Sequence, residues 1–163
     1  MSAAHPSKDV SQNLLLHVEP SAAIRRKVSA AFHQVNLRLL TVATGVEAID
    51  IIHGLTIPTL AIIEMNLPDM DGIELALHFS RNHHIPIILT AYHADPSTVA
   101  ELLDHTAEDF VYKPFDEREL VARARRLLPR SLRHRLDSEY MPPGLQPSTE
   151  YPQGIFGWLT TGR

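Results

Sequence analysis

The sequence predicts an α/β protein, a doubly wound sheet of five parallel strands with helices on both faces. Short apolar runs alternate with amphipathic segments from Asn13 to about Leu128. One of those runs, Thr59–Glu64 (TLAIIE), is apolar on both sides, as a strand sandwiched between helices must be. Capping residues, glycines and prolines punctuate the alternation where strands give way to helices.

Asn13–Val18 (NLLLHV) opens the pattern as a first strand and stops at Glu19-Pro20. Ser21 is placed to cap a helix over Ala22–Gln34, with Ile24, Val28, Ala31 and Val35 recurring at helical spacing. Leu37–Ala43 reads as the second strand, and Gly45 opens a short helix, Val46–His53, broken at Gly54. After the third strand, Thr59–Glu64, a turn cluster from Pro68 to Gly72 precedes a helix from Ile73 to about Asn82. Ile85–Thr90 is the fourth strand. Asp95-Pro96 starts the next helix, because aspartate caps and proline suits the first turn. Asp109–Tyr112 is a short fifth strand ended by Pro114, and Asp116–Leu128 is the last amphipathic helix.

This divides the chain into an N-terminal arm (1–12), one α/β domain (13–129) and a Pro/Gly/aromatic extension (130–163). A helical continuation to roughly His134 or Asp137 is expected, followed by an irregular arm that carries Tyr140, Tyr151, Phe156 and Trp158. An apolar fraction of 44% supports a buried core, and the length suits one domain rather than two. A net charge of −4 argues against a general nucleic-acid binder. With no cysteine, disulfides and thiolate chemistry are excluded. No apolar run approaches the ~20 residues of a membrane span, so a soluble cytoplasmic protein is expected.

In doubly wound sheets functional groups collect at the carboxyl ends of the strands. Here those ends deliver Glu19, Glu64, Thr90 and Lys113, so two carboxylates, a hydroxyl and an ammonium are expected to share one pocket. His17, His83, His84 and His93 lack a paired metal-ligand spacing, although His93 is placed to meet an anion beside the pocket. No nucleophile–base arrangement, phosphate-binding loop or dinucleotide fingerprint is present, and no enzymatic activity is expected.

Four motifs in register with these strands carry a resemblance: TGVEA at Thr44–Ala48, LPDMDG at Leu67–Gly72, PIILTA at Pro86–Ala91 and DFVYKPF at Asp109–Phe115. From Leu14 to about Leu128 the chain resembles the CheY-like receiver domains of two-component response regulators. The resemblance implies strand order 2-1-3-4-5 and a cis Lys113-Pro114 bond. It also implies a pocket in which a histidine kinase phosphorylates an aspartate at the end of the third strand, beside a magnesium ion held by two acidic residues after the first strand. Carried over by position, Thr90 is the phosphoryl-binding hydroxyl, Lys113 the phosphoryl-binding lysine and Phe110 the switch aromatic. Arg25 matches an arginine common after the first strand.

Two departures bear on that chemistry. Glu64 stands at the acceptor position, and Glu19-Pro20 replaces the acidic pair. Magnesium prefers an octahedral oxygen shell at roughly 2.0–2.1 Å and proline supplies no side-chain ligand, so no cofactor is expected. Glu19, Glu64 and the Asn66 carbonyl remain only weak candidate contacts for a cation. Glutamate is one methylene longer than aspartate and reaches toward the space a phosphoryl group fills, next to Lys113. Three readings follow: a fixed mimic of the phosphorylated state, a domain that kept the fold for binding alone, or phosphorylation on an unusual acceptor.

The leading expectation is a pseudo-receiver acting by protein–protein contact, with a histidine kinase or an output protein as partner and no nucleic acid or membrane. The alternative is the regulatory domain of a transcription factor whose output domain is absent. A homodimer is expected through the fourth helix, fifth strand and fifth helix. Leu102, Phe110 and Tyr112 would lie on that face, with Glu101, Asp104, Glu108 and Asp109 opposite Arg118, Arg123 and Arg126 across a two-fold axis. The run of arginines from Arg118 to Arg135 otherwise reads as a solvated helix face.

Overall fold

The computed structural model describes residues 14–54 and 57–139. Five strands, β1 (Leu14–Val18), β2 (Arg38–Val42), β3 (Leu60–Glu64), β4 (Ile87–Ala91) and β5 (Asp109–Tyr112), form one sheet in the order β2-β1-β3-β4-β5. Every pairing is parallel. The helices are α1 (Ala22–His33), α2 (Gly45–His53), α3 (Gly72–His83), α4 (Pro96–His105), α5 (Glu117–Leu127) and α6 (Arg130–Glu139). The predicted architecture is therefore observed.

Helix starts follow side-chain chemistry. The Ser21 hydroxyl accepts the Ile24 amide, Thr44 and Glu47 form a reciprocal capping box on α2, and Asp71 accepts the Ile73 amide of α3. Asp95 departs from expectation. Its carboxylate makes no capping bond to α4 and instead accepts the Ser97 hydroxyl. Proline at the first turn fixes φ there without any cap. The fourth strand begins later than its apolar run suggests, at Ile87: the Ile85 amide still closes the end of α3 on the Phe79 carbonyl, and Pro86 has no amide to give the sheet.

Period-2 alternation along the strands divides the core into two layers. Leu16, Val18, Ile63 and Leu89 pack against α2, α3 and α4 through Ile52, Phe79 and Leu102. Leu15, Ile62, Ile88 and Val111 pack against α1 and α5 through Phe32 and Leu120. Helix α6 belongs to this second layer. Leu128, Leu132 and Leu136 recur every four residues across Pro129, are buried, and join the same cluster as Phe32 and Leu37. The expected aromatic arm at Tyr140, Tyr151, Phe156 and Trp158 lies outside the described residues.

Candidate functional site

The alternation that points Ile62, Ile88 and Val111 toward α1 and α5 carries on to the next residue of each row: Glu64, Thr90 and Lys113. Glu19, just beyond β1, completes the group. All four are buried. The Lys113 ammonium forms ion pairs with Oε2 of Glu19 and with Oε2 of Glu64, so one cation bridges two carboxylates. Thr90 Oγ1 donates to Glu64 Oε2 at 3.3 Å. The Asn66 amide donates to Glu64 Oε1 at 3.1 Å, and the Ser21 amide to Glu19 Oε1 at 2.8 Å. The convergence expected of the four strand ends is thus observed.

Arg25 enters from α1. One guanidinium nitrogen donates to the backbone carbonyls of Glu19 (2.6 Å) and Pro20 (2.8 Å), which fixes the β1–α1 turn over the pocket. The Lys113 ammonium also lies 5.3 Å from the ring centre of the exposed Tyr92, a cation–π contact at the pocket mouth. His93 is exposed beside Tyr92, and among the described residues no hydrogen bond ties it to the pocket. The Lys113-Pro114 peptide bond is cis.

The loop after β3 is held by backbone geometry. The Gly72 amide donates to the Met65 carbonyl at 2.9 Å, and a Cβ on Gly72 would stand 2.1 Å from the Glu64 carbonyl oxygen. Only glycine permits this approach. Asp69 reaches across to the start of α2, accepting the amides of Gly45 (3.0 Å) and Val46 (2.9 Å). Those two amides hold the Asp69 carboxyl below its ordinary range, the Gly45 bond contributing most.

Sequence reasoning missed the environment of His17. Its ring is fully buried one step below Glu19, with neither nitrogen hydrogen-bonded among the described residues. Burial, and then the nearby Lys113 and Arg25 cations, push its pKa down to about 3, so the ring is neutral at physiological pH. Alternation along NLLLHV places His17 with Leu15 on a covered face, a signal that could have found it. Tyr92 and the second Arg25 contact carried no sequence signal.

Both oxygens of Glu19 and both of Glu64 accept protein donors, and the Glu19 and Pro20 carbonyls accept Arg25. Among the described residues no cluster of three or more His, Asp or Glu side chains forms a metal centre.

The predicted dimer face is partly redrawn. Leu102, on the inner side of α4, and Phe110 on β5 are buried in the core and cannot form an outer surface. Tyr112, stacked edge-on against Phe110 at 5.0 Å, and Leu103 are the exposed apolar groups there. Asp109, Glu108, Arg118, Arg123 and Arg126 are engaged inside the chain. Asp109 accepts Arg123 through both oxygens at 3.0 Å and Arg126 at 3.2 Å, while Arg118 pairs with Asp116 and Arg123 also with Glu119.

Residues 15–125 match the response regulator receiver domain family. The transcriptional regulatory protein AfsQ1 of Streptomyces coelicolor is 32% identical over 124 residues, covering 76% of this chain and 55% of its own length. The probable transcriptional regulator ycf27 of Cyanophora paradoxa is 30% identical over 123 residues, covering 76% and 51%. The chain therefore spans about half the length of the curated relatives it matches. In fold it is similar to the signal receiver domain of a Luxo repressor protein from Vibrio parahaemolyticus, with a TM-score of 0.67 and 24% identity over 78% of this chain and 95% of that one. Among the described residues no helix is long and apolar enough to cross a membrane. With the 2-1-3-4-5 sheet, the lysine–hydroxyl–carboxylate pocket and a family match over most of its length, this chain belongs to the receiver domains of two-component response regulators.

Proposed function

We propose that this receiver signals without phosphoryl transfer, as a cytoplasmic, non-enzymatic module that presents one fixed surface to a protein partner. One observation carries the reading. The Glu64 carboxylate already receives Lys113 and the Thr90 hydroxyl, the two groups that in receivers resembling this chain would hold a phosphoryl group. Charge-assisted bonds of this kind are roughly twice as strong as neutral ones. Phosphoryl transfer depends on an aligned acceptor and cation stabilisation, and Glu64 is committed through both of its oxygens.

Incubation with acetyl phosphate and magnesium, followed by intact-mass spectrometry, tests this. The expected result is no phosphoryl adduct on the native chain and partial labelling of the Glu64→Asp/Pro20→Asp variant. A stoichiometric acid-labile adduct on the native chain would overturn the reading.

The partner is an output protein or a second copy, met through α4, β5 and α5. The exposed Leu103 and Tyr112 support this face, with acidic Asp104 next to Leu103. Because Asp109, Arg123 and Arg126 are paired within the chain, the apolar groups rather than cross-axis ion pairs carry the contact. Light scattering at micromolar concentration tests it, with Leu103→Glu/Tyr112→Glu expected to abolish self-association. The names of the matched relatives favour a transcriptional regulator as the output served.

A further inference from the structure

We infer that this chain carries its own cations in the acidic pocket, with the Lys113 ammonium and the Arg25 guanidinium filling the roles a divalent metal would otherwise take, so that the pocket excludes magnesium. The inference rests on the donor set and stands whether or not Glu64 accepts phosphate.

A hard divalent cation needs several oxygens whose lone pairs face one point. Besides the Asn66 carbonyl, six oxygens frame the pocket: two on Glu19, two on Glu64 and the carbonyls of Glu19 and Pro20. Lys113 takes one carboxylate oxygen from each glutamate, joining the ends of β1 and β3 from across β4. Arg25 takes both carbonyls. The remaining carboxylate oxygens accept the Ser21 and Asn66 amides.

The two carboxylates are offset by the bridging ammonium and by the Arg25 guanidinium held against the turn, so no net negative charge is left to draw in a metal. A metal entering there would meet two fixed cations at close range and would have to break an ion pair buried on both sides. Proline at position 20 withholds the extra carboxylate that could offset this. The bridging lysine thereby does structural work as well, tying β5 to β1 and β3 without a dissociable ligand.

Titration with Mn²⁺, read by electron paramagnetic resonance as loss of the free-ion signal, tests the exclusion directly. The native chain is expected to bind no Mn²⁺ with a Kd tighter than ~1 mM. Lys113→Met, which frees Oε2 of Glu19, leaves only the Thr90 hydroxyl on Oε2 of Glu64 and removes a charge, is expected to gain binding at least about tenfold tighter than that limit. Should Lys113→Met fail to fold by circular dichroism, Lys113→Gln takes its place, since it removes the same charge and leaves a polar side chain between the two carboxylates. Binding below ~1 mM by the native chain would overturn the inference. Silence from the native chain and from every folded variant would overturn it too, because the ammonium would then not be what keeps the metal out.

Discussion

Glu64 at the end of β3 and Lys113 at the end of β5 form an ion pair that passes over the intervening strand β4, whose Thr90 hydroxyl bonds to the same glutamate oxygen. The same ammonium reaches Glu19 after β1, so the ends of β1, β3 and β5 are tied by a single side chain. Breaking a buried pair leaves an uncompensated charge and costs ~3–5 kcal/mol, whereas replacing all partners with neutral groups costs far less. Lys113→Met is therefore expected to lower unfolding stability by ~3–5 kcal/mol, and Lys113→Met/Glu19→Gln/Glu64→Gln to recover most of it. Urea unfolding of the variants checks this.

His17 makes stability depend on pH. Its folded-state pKa of about 3 lies below the unfolded value of 6.5, so between them the unfolded chain binds the extra proton. The stabilisation is complete above the unfolded pKa and is lost as pH falls toward the folded one, at up to ~1.4 kcal/mol per pH unit. Urea midpoints measured from pH 7 down to pH 4.5 should fall for the native chain, and His17→Leu should flatten the His17 share of that slope.

Gly72 should tolerate no side chain. A Cβ there meets the Glu64 carbonyl at 2.1 Å and Met65 Cα at 2.8 Å, all backbone, so the strand end that positions Glu64 must move. Gly72→Ala is expected to cost ~3 kcal/mol or more, at the top of the overpacking range. Gly54→Ala, at a helix end with negative φ, is expected to stay within ~1 kcal/mol of the native chain. Thermal unfolding of both separates the two cases.

Helix α6 should be required for the stability of the domain. Leu132→Ala, which empties a buried site among Phe32, Leu37 and Leu128, is expected to cost ~2–5 kcal/mol. Truncation after Pro129 should cost more and increase binding of a hydrophobic dye, because it uncovers that layer. Chemical denaturation and dye fluorescence measure both.

The order of strands and helices, the two-sided burial of TLAIIE and the identity of the four pocket residues could all be read along the chain. Hydrophobic period and capping chemistry are local, and a parallel α/β sheet places every strand end on one edge. Partner choice is not local, and only the tertiary structure decided it. Lys113 serves two carboxylates rather than one because the crossovers bring β1, β3 and β5 to the same edge. Asp109, read in sequence as a group for a partner molecule, is turned to Arg123 and Arg126 of its own α5. Leu102 and Phe110 face inward because α4 lies over β5, which no spacing along the chain reveals. Leu132 and Leu136 look like the start of an extension and are core, since the turn at Pro129 sends α6 back onto the layer that α5 has just left.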